Sequence, residues 1–167
     1  AKTLATWLEQ KALIQEQEPA LYFYTQEFTL KDGVRRRRAG ILTALRLEDF
    51  SSGKIRPHER TFEHAKADRL ALLQACQTHL SSIFCLFSRP GWSLDQTVAP
   101  ALSASPLIRV HDDLDTEHTL WRVTDPELIA EVTSQLANET LIIADGHHRY
   151  ETALRYRNEC AERGGGN

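Results

Sequence analysis

Leu141-Ile142-Ile143-Ala144-Asp145-Gly146-His147-His148-Arg149-Tyr150-Glu151-Thr152-Ala153-Leu154 opens on a short apolar, β-branched run, crosses a glycine and continues with apolar residues at helical spacing. That order reads as strand, sharp turn and helix. It makes the chain an α/β protein, with α+β as the alternative, built on a mixed sheet with flanking helices. The start of the helix gathers unpaired backbone N–H groups and the positive end of the helix dipole, a seat for an anion such as phosphate. Arg149 can grip phosphate oxygens in a bidentate manner, and His147 and His148 can donate, accept or ligate. The plainer reading of the same residues is that Asp145 caps the helix, Gly146 makes the turn and the histidines are solvated.

Working outward, 167 residues suit a single domain, residues 1 to 167, large enough to bury about two thirds of its unfolded surface. A formal charge of −3 and a pI near 6.2 give no overall electrostatic reason to bind nucleic acid. No apolar run approaches a membrane span and no signal-peptide pattern opens the chain, so a cytoplasmic protein without a membrane partner is expected. Cys76, Cys85 and Cys160 are odd in number, widely spaced and set in apolar patterns. They read as buried, reduced thiols, none of them a nucleophile. Methionine is absent even at position 1, and the chain stops on Gly164-Gly165-Gly166-Asn167. A flexible run of that kind suggests a piece of a longer protein.

Leu4, Trp7, Leu8 and Ala12 predict a short first helix, from 3 to about 12. Residues 20 to 28 form a strand, turned at Asp32-Gly33 by a type I′ hairpin whose return strand runs from Val34 to Leu47, with Gly40 as a bulge. Its run Arg35-Arg36-Arg37-Arg38 alternates between faces and carries no interleaved aromatics, so it reads as a charged sheet edge. A helix at 63 to 80 has Ala65, Leu72, Leu73, Cys76 and Leu80 on its buried stripe, with Lys66, Asp68 and Gln74 toward water. Residues 82 to 88 form an apolar run of the length of a central strand buried on both faces. A weak helix at 92 to 104 precedes two strands, 107 to 111 and 119 to 123. The loop Asp112-Asp113-Leu114-Asp115 between them is read as turn chemistry ahead of a Mg²⁺ site. Thr124-Asp125-Pro126-Glu127 starts the next helix with a capping box. The last strand spans 140 to 144 and the last helix 148 to about 162, with Tyr150, Ala153, Leu154, Cys160 and Ala161 inward.

Between a Ser-Ser-Gly turn at 51 to 53 and the helix at 63 lies Ile55-Arg56-Pro57-His58-Glu59-Arg60-Thr61. Pro57 fixes the approach and disfavours helix at Arg56, so these polar side chains sit on a constrained connection. Such connections carry function when they are held. The ordinary alternative is that Thr61 caps the next helix and Glu59 with Arg60 forms a surface ion pair.

With Asp145-Gly146-His147-His148-Arg149-Tyr150-Glu151-Thr152-Ala153, Pro57-His58-Glu59-Arg60-Thr61 and Pro19-Ala20-Leu21-Tyr22-Phe23-Tyr24 in order along it, the chain resembles domain-of-unknown-function family 1015, over essentially its whole length. Members of that family extend beyond it at both ends. Gly146, His148, Arg149 and Ala153 also form a Gly-x-His-Arg-x-x-x-Ala core similar to the phosphate-binding turn of the partition-protein/sulfiredoxin superfamily, which includes nucleotide-dependent free-serine kinases. This second resemblance implies a core of that superfamily's type and a nucleotide, ATP or ADP with Mg²⁺, whose phosphates rest on residues 145 to 149. It implies that Glu59 is the base for an attacking hydroxyl. Where sulfiredoxins carry a cysteine before the His-Arg pair this chain has His147, which argues against sulfinic acid reduction. The DNA-binding helical segments of the partition proteins have no counterpart here.

The leading expectation is therefore a phosphotransferase or nucleotide hydrolase acting on a small hydroxylated metabolite. Glu59, His148 and Asp145 would serve the chemistry, and Gly146, His147, His148 and Arg149 the phosphates. A nucleotide-responsive module without turnover is the second. A metallohydrolase using His147, His148 and Asp145 is the third, and it lacks the usual helical ligand spacing.

Overall fold

In the computed structural model residues 2–164 are described, the side chains of residues 63–65 excepted, so Ala65 of the expected stripe and the last three residues lie outside the description. The fold is mixed α/β, with a four-stranded sheet in the order β2-β1-β6-β5 and a three-stranded sheet in the order β3-β7-β4. Two compact units divide the chain: residues 1–15, 46–88 and 139–167 form one, and residues 16–45 and 89–138 form the other.

The unit that holds residues 16–45 and 89–138 is an antiparallel sheet backed by two helices. β1 (Leu21–Thr29) pairs with β2 (Arg35–Leu42) on one side and with β6 (Glu117–Val123) on the other, and β6 pairs with β5 (Ile108–His111). Alternate residues Leu21, Phe23 and Val123 enter a core with Val98 of α3 (Leu94–Leu102) and Val132 of α4 (Pro126–Leu136). The hairpin after β1 differs from the expected type I′ turn. Only Gly33 has positive φ, at 79°, and Leu30 N–H bonds Val34 C=O across a three-residue loop. Asp32 is spent instead on accepting the Val34 N–H at 2.9 Å. This is the longer hairpin loop in which a single left-handed glycine follows an ordinary turn. β2 stops at Leu42, well before Leu47, because its partner β1 begins at Leu21, and Gly40 pairs in register with Tyr24 rather than bulging.

The arginine run lies on that edge strand, exposed along its length, as its alternation suggests. Arg35 pairs with Glu27 at 2.8 Å and Arg37 with Asp95 at 2.5 Å. The acidic loop is spent on turn chemistry too. Asp112 accepts the Leu114 and Thr116 N–H groups and contacts His118 Nε2 at 3.1 Å, while Tyr24 Oη lies 2.6 Å from the ring's other nitrogen. The Thr116 N–H first, then His118, hold the Asp112 carboxyl below its ordinary range. The start of α4 shifts by one residue from expectation. Asp125, not Thr124, is the cap, accepting Glu127 and Leu128 N–H, with Pro126 in the first turn.

The second unit contains α1 (Lys2–Glu9), β3 (Ile55–Arg56), α2 (Glu63–Cys76), β4 (Phe84–Leu86), β7 (Leu141–Asp145) and α5 (His147–Glu162). β7 is the central strand, parallel to β3 and antiparallel to β4. The apolar run around β4 is thus an edge strand and not the expected central one, with Phe84 and Leu86 exposed. Ile55, Ile143 and Tyr150 form the buried centre. Tyr150 is 0% exposed, donates its hydroxyl to the Glu48 carbonyl at 2.8 Å and receives the Glu48 N–H at 3.0 Å. α2 ends at Gln77 in a left-handed conformation that returns its N–H to Leu73 C=O, which stops the helix short of the expected residue 80. Among its described side chains Leu70 and Leu73 are buried, and Leu72 and Leu80 of the expected stripe are exposed. The three cysteines form no disulfide and are half-buried. Burial pushes the Cys85 thiol up, away from the thiolate a nucleophile needs. Among the described residues no helix is long and apolar enough to cross a membrane.

Candidate functional site at the start of α5

The site is set by two backbone facts. β3 runs parallel to β7, with Ile55 opposite Leu141 and Arg56 opposite Ile142, so the connection that follows β3 emerges beside the turn that follows β7. Both chains leave the sheet at the carboxyl ends of their strands, the side on which open α/β sheets bind ligands. Gly146 then takes φ 97°, a conformation that side chains resist, and serves as the cap of α5 without offering a side-chain acceptor. The first-turn N–H groups of α5 therefore have no side-chain cap.

Two histidines of the turn hold the facing connection. The His147 side chain is 1% exposed, and its Nε2 accepts the His58 N–H at 3.2 Å. An Nε2 that accepts leaves the proton of the neutral ring on Nδ1. That Nδ1 lies 3.0 Å from Glu59 Oε1, off the line that a hydrogen bond requires but at ion-contact distance. His148 repeats the device one residue on, its Nε2 accepting the Phe62 N–H at 3.1 Å. His58 is fixed in turn by its Nδ1, 2.7 Å from the Ile143 carbonyl, and its ring meets that of His147 edge-on at 4.4 Å.

Glu151, one helical turn beyond the histidines, closes the arrangement. It accepts the Thr61 hydroxyl at 2.6 Å and Lys66 Nζ at 2.9 Å. Burial alone would raise the Glu151 carboxyl, but the Thr61 hydroxyl, Lys66 and His148 outweigh it and hold it below its ordinary value. Thr61 thus anchors the connection to α5 and does not cap α2, whose cap position is Phe62 without a side-chain bond. Lys66, expected to face water, is 15% exposed in this pair.

Arg149 lies across Gly146. A Cβ at that glycine would stand 2.7 Å from Arg149 Nη2, so the missing side chain is what lets the guanidinium cover the turn. Arg149 Nη2 donates to Asp145 Oδ2 at 2.6 Å, and its Nε–H is buried without an acceptor. Asp145, 73% exposed, does not cap the helix.

The expected residues therefore converge: Glu59, His147, His148, Arg149 and Asp145 all belong to or touch one turn. The imidazoles of His147 and His148 are directed at the connection, which leaves the backbone and Arg149 as the donors for an anion. His58 and Glu151 are not read as site residues from the sequence, and Thr61 reads there only as a helix cap. The signal for Glu151 was its spacing, four residues after His147 and three after His148, which puts it on their face of the helix. The group within metal-ligand reach among the described residues is His58, Glu59 and His147, with ligand atoms within 4.8 Å of one another. Asp145 and His148 are not part of it. A large surface hollow, about 660 Å³, lies farther along α5, lined by Glu151, Glu159 and Glu162 together with Arg155. A smaller one of about 50 Å³ has Arg149 and Thr152 in its wall.

The profile of the family described as Protein of unknown function (DUF1015) matches residues 1–167. The chain belongs to this family. Searches of curated proteins and of solved structures found no match.

Proposed function

We propose that the chain binds a nucleoside phosphate with its phosphates on the start of α5 and transfers or hydrolyses the terminal phosphoryl group. The observation that carries this reading is the Glu59 carboxylate, brought to 3.0 Å from His147 Nδ1 in the turn while staying 53% exposed. A carboxylate that lies beside an imidazole at one oxygen and is open to solvent can accept a proton from a bound hydroxyl. The uncapped N–H groups of the first turn and Arg149 supply the charge stabilisation that phosphoryl transfer needs. For phosphate to engage Arg149, the guanidinium exchanges Asp145 for a phosphate oxygen, and its unpaired Nε–H gains an acceptor.

In the reaction the substrate hydroxyl loses its proton to Glu59 as its oxygen bonds the terminal phosphorus. The bond from phosphorus to the leaving phosphate oxygen breaks, and the nucleotide departs one phosphoryl group shorter. Mg²⁺ bound with the nucleotide would share the phosphate charge. The resemblance of Gly146, His148, Arg149 and Ala153 to the phosphate turn of the partition-protein/sulfiredoxin superfamily supports the same reading, as does an α/β fold with the turn at the carboxyl end of a parallel strand.

A metal-dependent hydrolase built on His58, Glu59 and His147 is the second reading, supported by the closeness of their ligand atoms. It requires His147 to offer a lone pair at Nδ1, and its Nε2 would then carry a proton facing the His58 N–H, which is itself a donor. That clash favours the phosphate reading.

The test is kinetic. With a nucleoside triphosphate and a panel of small hydroxylated acceptors, Glu59→Gln is expected to lower turnover by about 10²–10⁴-fold with nucleotide affinity kept. Nucleotide binding without product in the wild-type chain would leave a binding module, and full turnover in Glu59→Gln would remove Glu59 from the chemistry.

A further inference from the structure

Phe62 is 74% exposed, more than Trp7, Phe84 or Phe87, yet both its backbone and its ring meet His148. Its N–H is bound by His148 Nε2, and its ring lies nearly parallel to the His148 imidazole, with centroids 6.2 Å apart and planes at 20°. The preceding residue, Thr61, is tied to Glu151. An apolar ring fixed in this way contributes nothing to a core, since its outer face meets water. It does present a preformed flat surface next to the second residue of α5, whose N–H belongs to the turn where the phosphates are placed.

We propose that Phe62 is the stacking platform for a flat aromatic ring, the base of the nucleotide whose phosphates occupy the α5 turn. The inference rests on the phosphate reading and adds the base site to it. Stacking on a phenyl face is sequence-tolerant, because every base has a π-face, so this platform recognises a nucleobase without selecting one purine over another. The backbone that carries the ring is already fixed by the His148 bond and by the Thr61 anchor, which lowers the ordering that stacking costs.

Calorimetry with ADP and with inorganic pyrophosphate separates the two sites. Phe62→Ala is expected to weaken ADP binding by roughly 5- to 150-fold, the range that loss of a base stack gives, and to leave pyrophosphate affinity unchanged. Phe62→Trp is expected to keep or strengthen ADP binding. Because Phe62 is exposed and its N–H is retained, the variants are expected to fold, and unchanged pyrophosphate affinity verifies that the connection remains in place. Equal loss of ADP and pyrophosphate affinity in Phe62→Ala, or loss of neither, overturns the base site and leaves the phosphate reading standing. Wild-type protein that binds neither ligand overturns both.

Discussion

α4 and α5 begin in opposite ways. α4 closes its own N-terminus, with Asp125 accepting the Glu127 N–H at 2.8 Å and Pro126 removing one donor from the first turn. α5 begins on Gly146, which has no side chain to give, and its nearest cation, Arg149, is folded back onto Asp145. A helix whose donors are satisfied by its own sequence is structural. On the proposed reading, one whose donors lie beside a held connection bearing a carboxylate is arranged for a ligand that the chain does not itself supply.

Arg149→Ala should break this contrast most strongly. Loss of a charge-assisted pair costs about 1.5–3 kcal/mol, so pyrophosphate or nucleotide affinity should fall by at least tenfold in calorimetry. Unchanged affinity would remove Arg149 from the site. Asp125→Ala is the complementary change. Losing a helix cap costs roughly 0.5–2 kcal/mol of stability, readable by denaturant unfolding, and ligand affinity should be untouched. A binding defect in Asp125→Ala would mean that the two helix starts are not functionally distinct.

The smallest effect is in pH. The Glu151 carboxyl is held below its ordinary value of 4.5, so its stabilisation is complete above that value and lost as pH falls through the lower folded value. Compared with Glu151→Gln, the wild type should gain up to about 1 kcal/mol near neutral pH, the size of a partly exposed ion pair. The difference should shrink only below pH 4.5, in unfolding curves recorded from pH 7 to pH 3. A difference that grows in acid would contradict the sign.

Much of this site was legible because its signals are local. The run from Leu141 to Leu154 announces strand, glycine turn and helix within a few residues, and Pro57 marks the facing connection as constrained. What was not legible depends on distant partners. Two histidines in a turn look like ligands until their Nε2 atoms are seen to accept the His58 and Phe62 N–H groups. Lys66 and Thr61 looked solvent-facing and capping because Glu151, their common partner, lies far along the chain. The run Ile83 to Phe87 is apolar enough for a central strand, but strand order is a property of the sheet, and β7 takes the centre. α2 overran because Gln77 ends it in a left-handed conformation usually signalled by glycine.

The central claim is that an anion sits on the first turn of α5, and backbone amide resonances test it directly. On titration with pyrophosphate, the largest shifts should fall on the N–H groups of Gly146, His147, His148 and Arg149, with the first turn of α4 silent. Shifts that spare residues 146 to 149, or that fall instead along the acidic flank around Glu159 and Glu162, would contradict it.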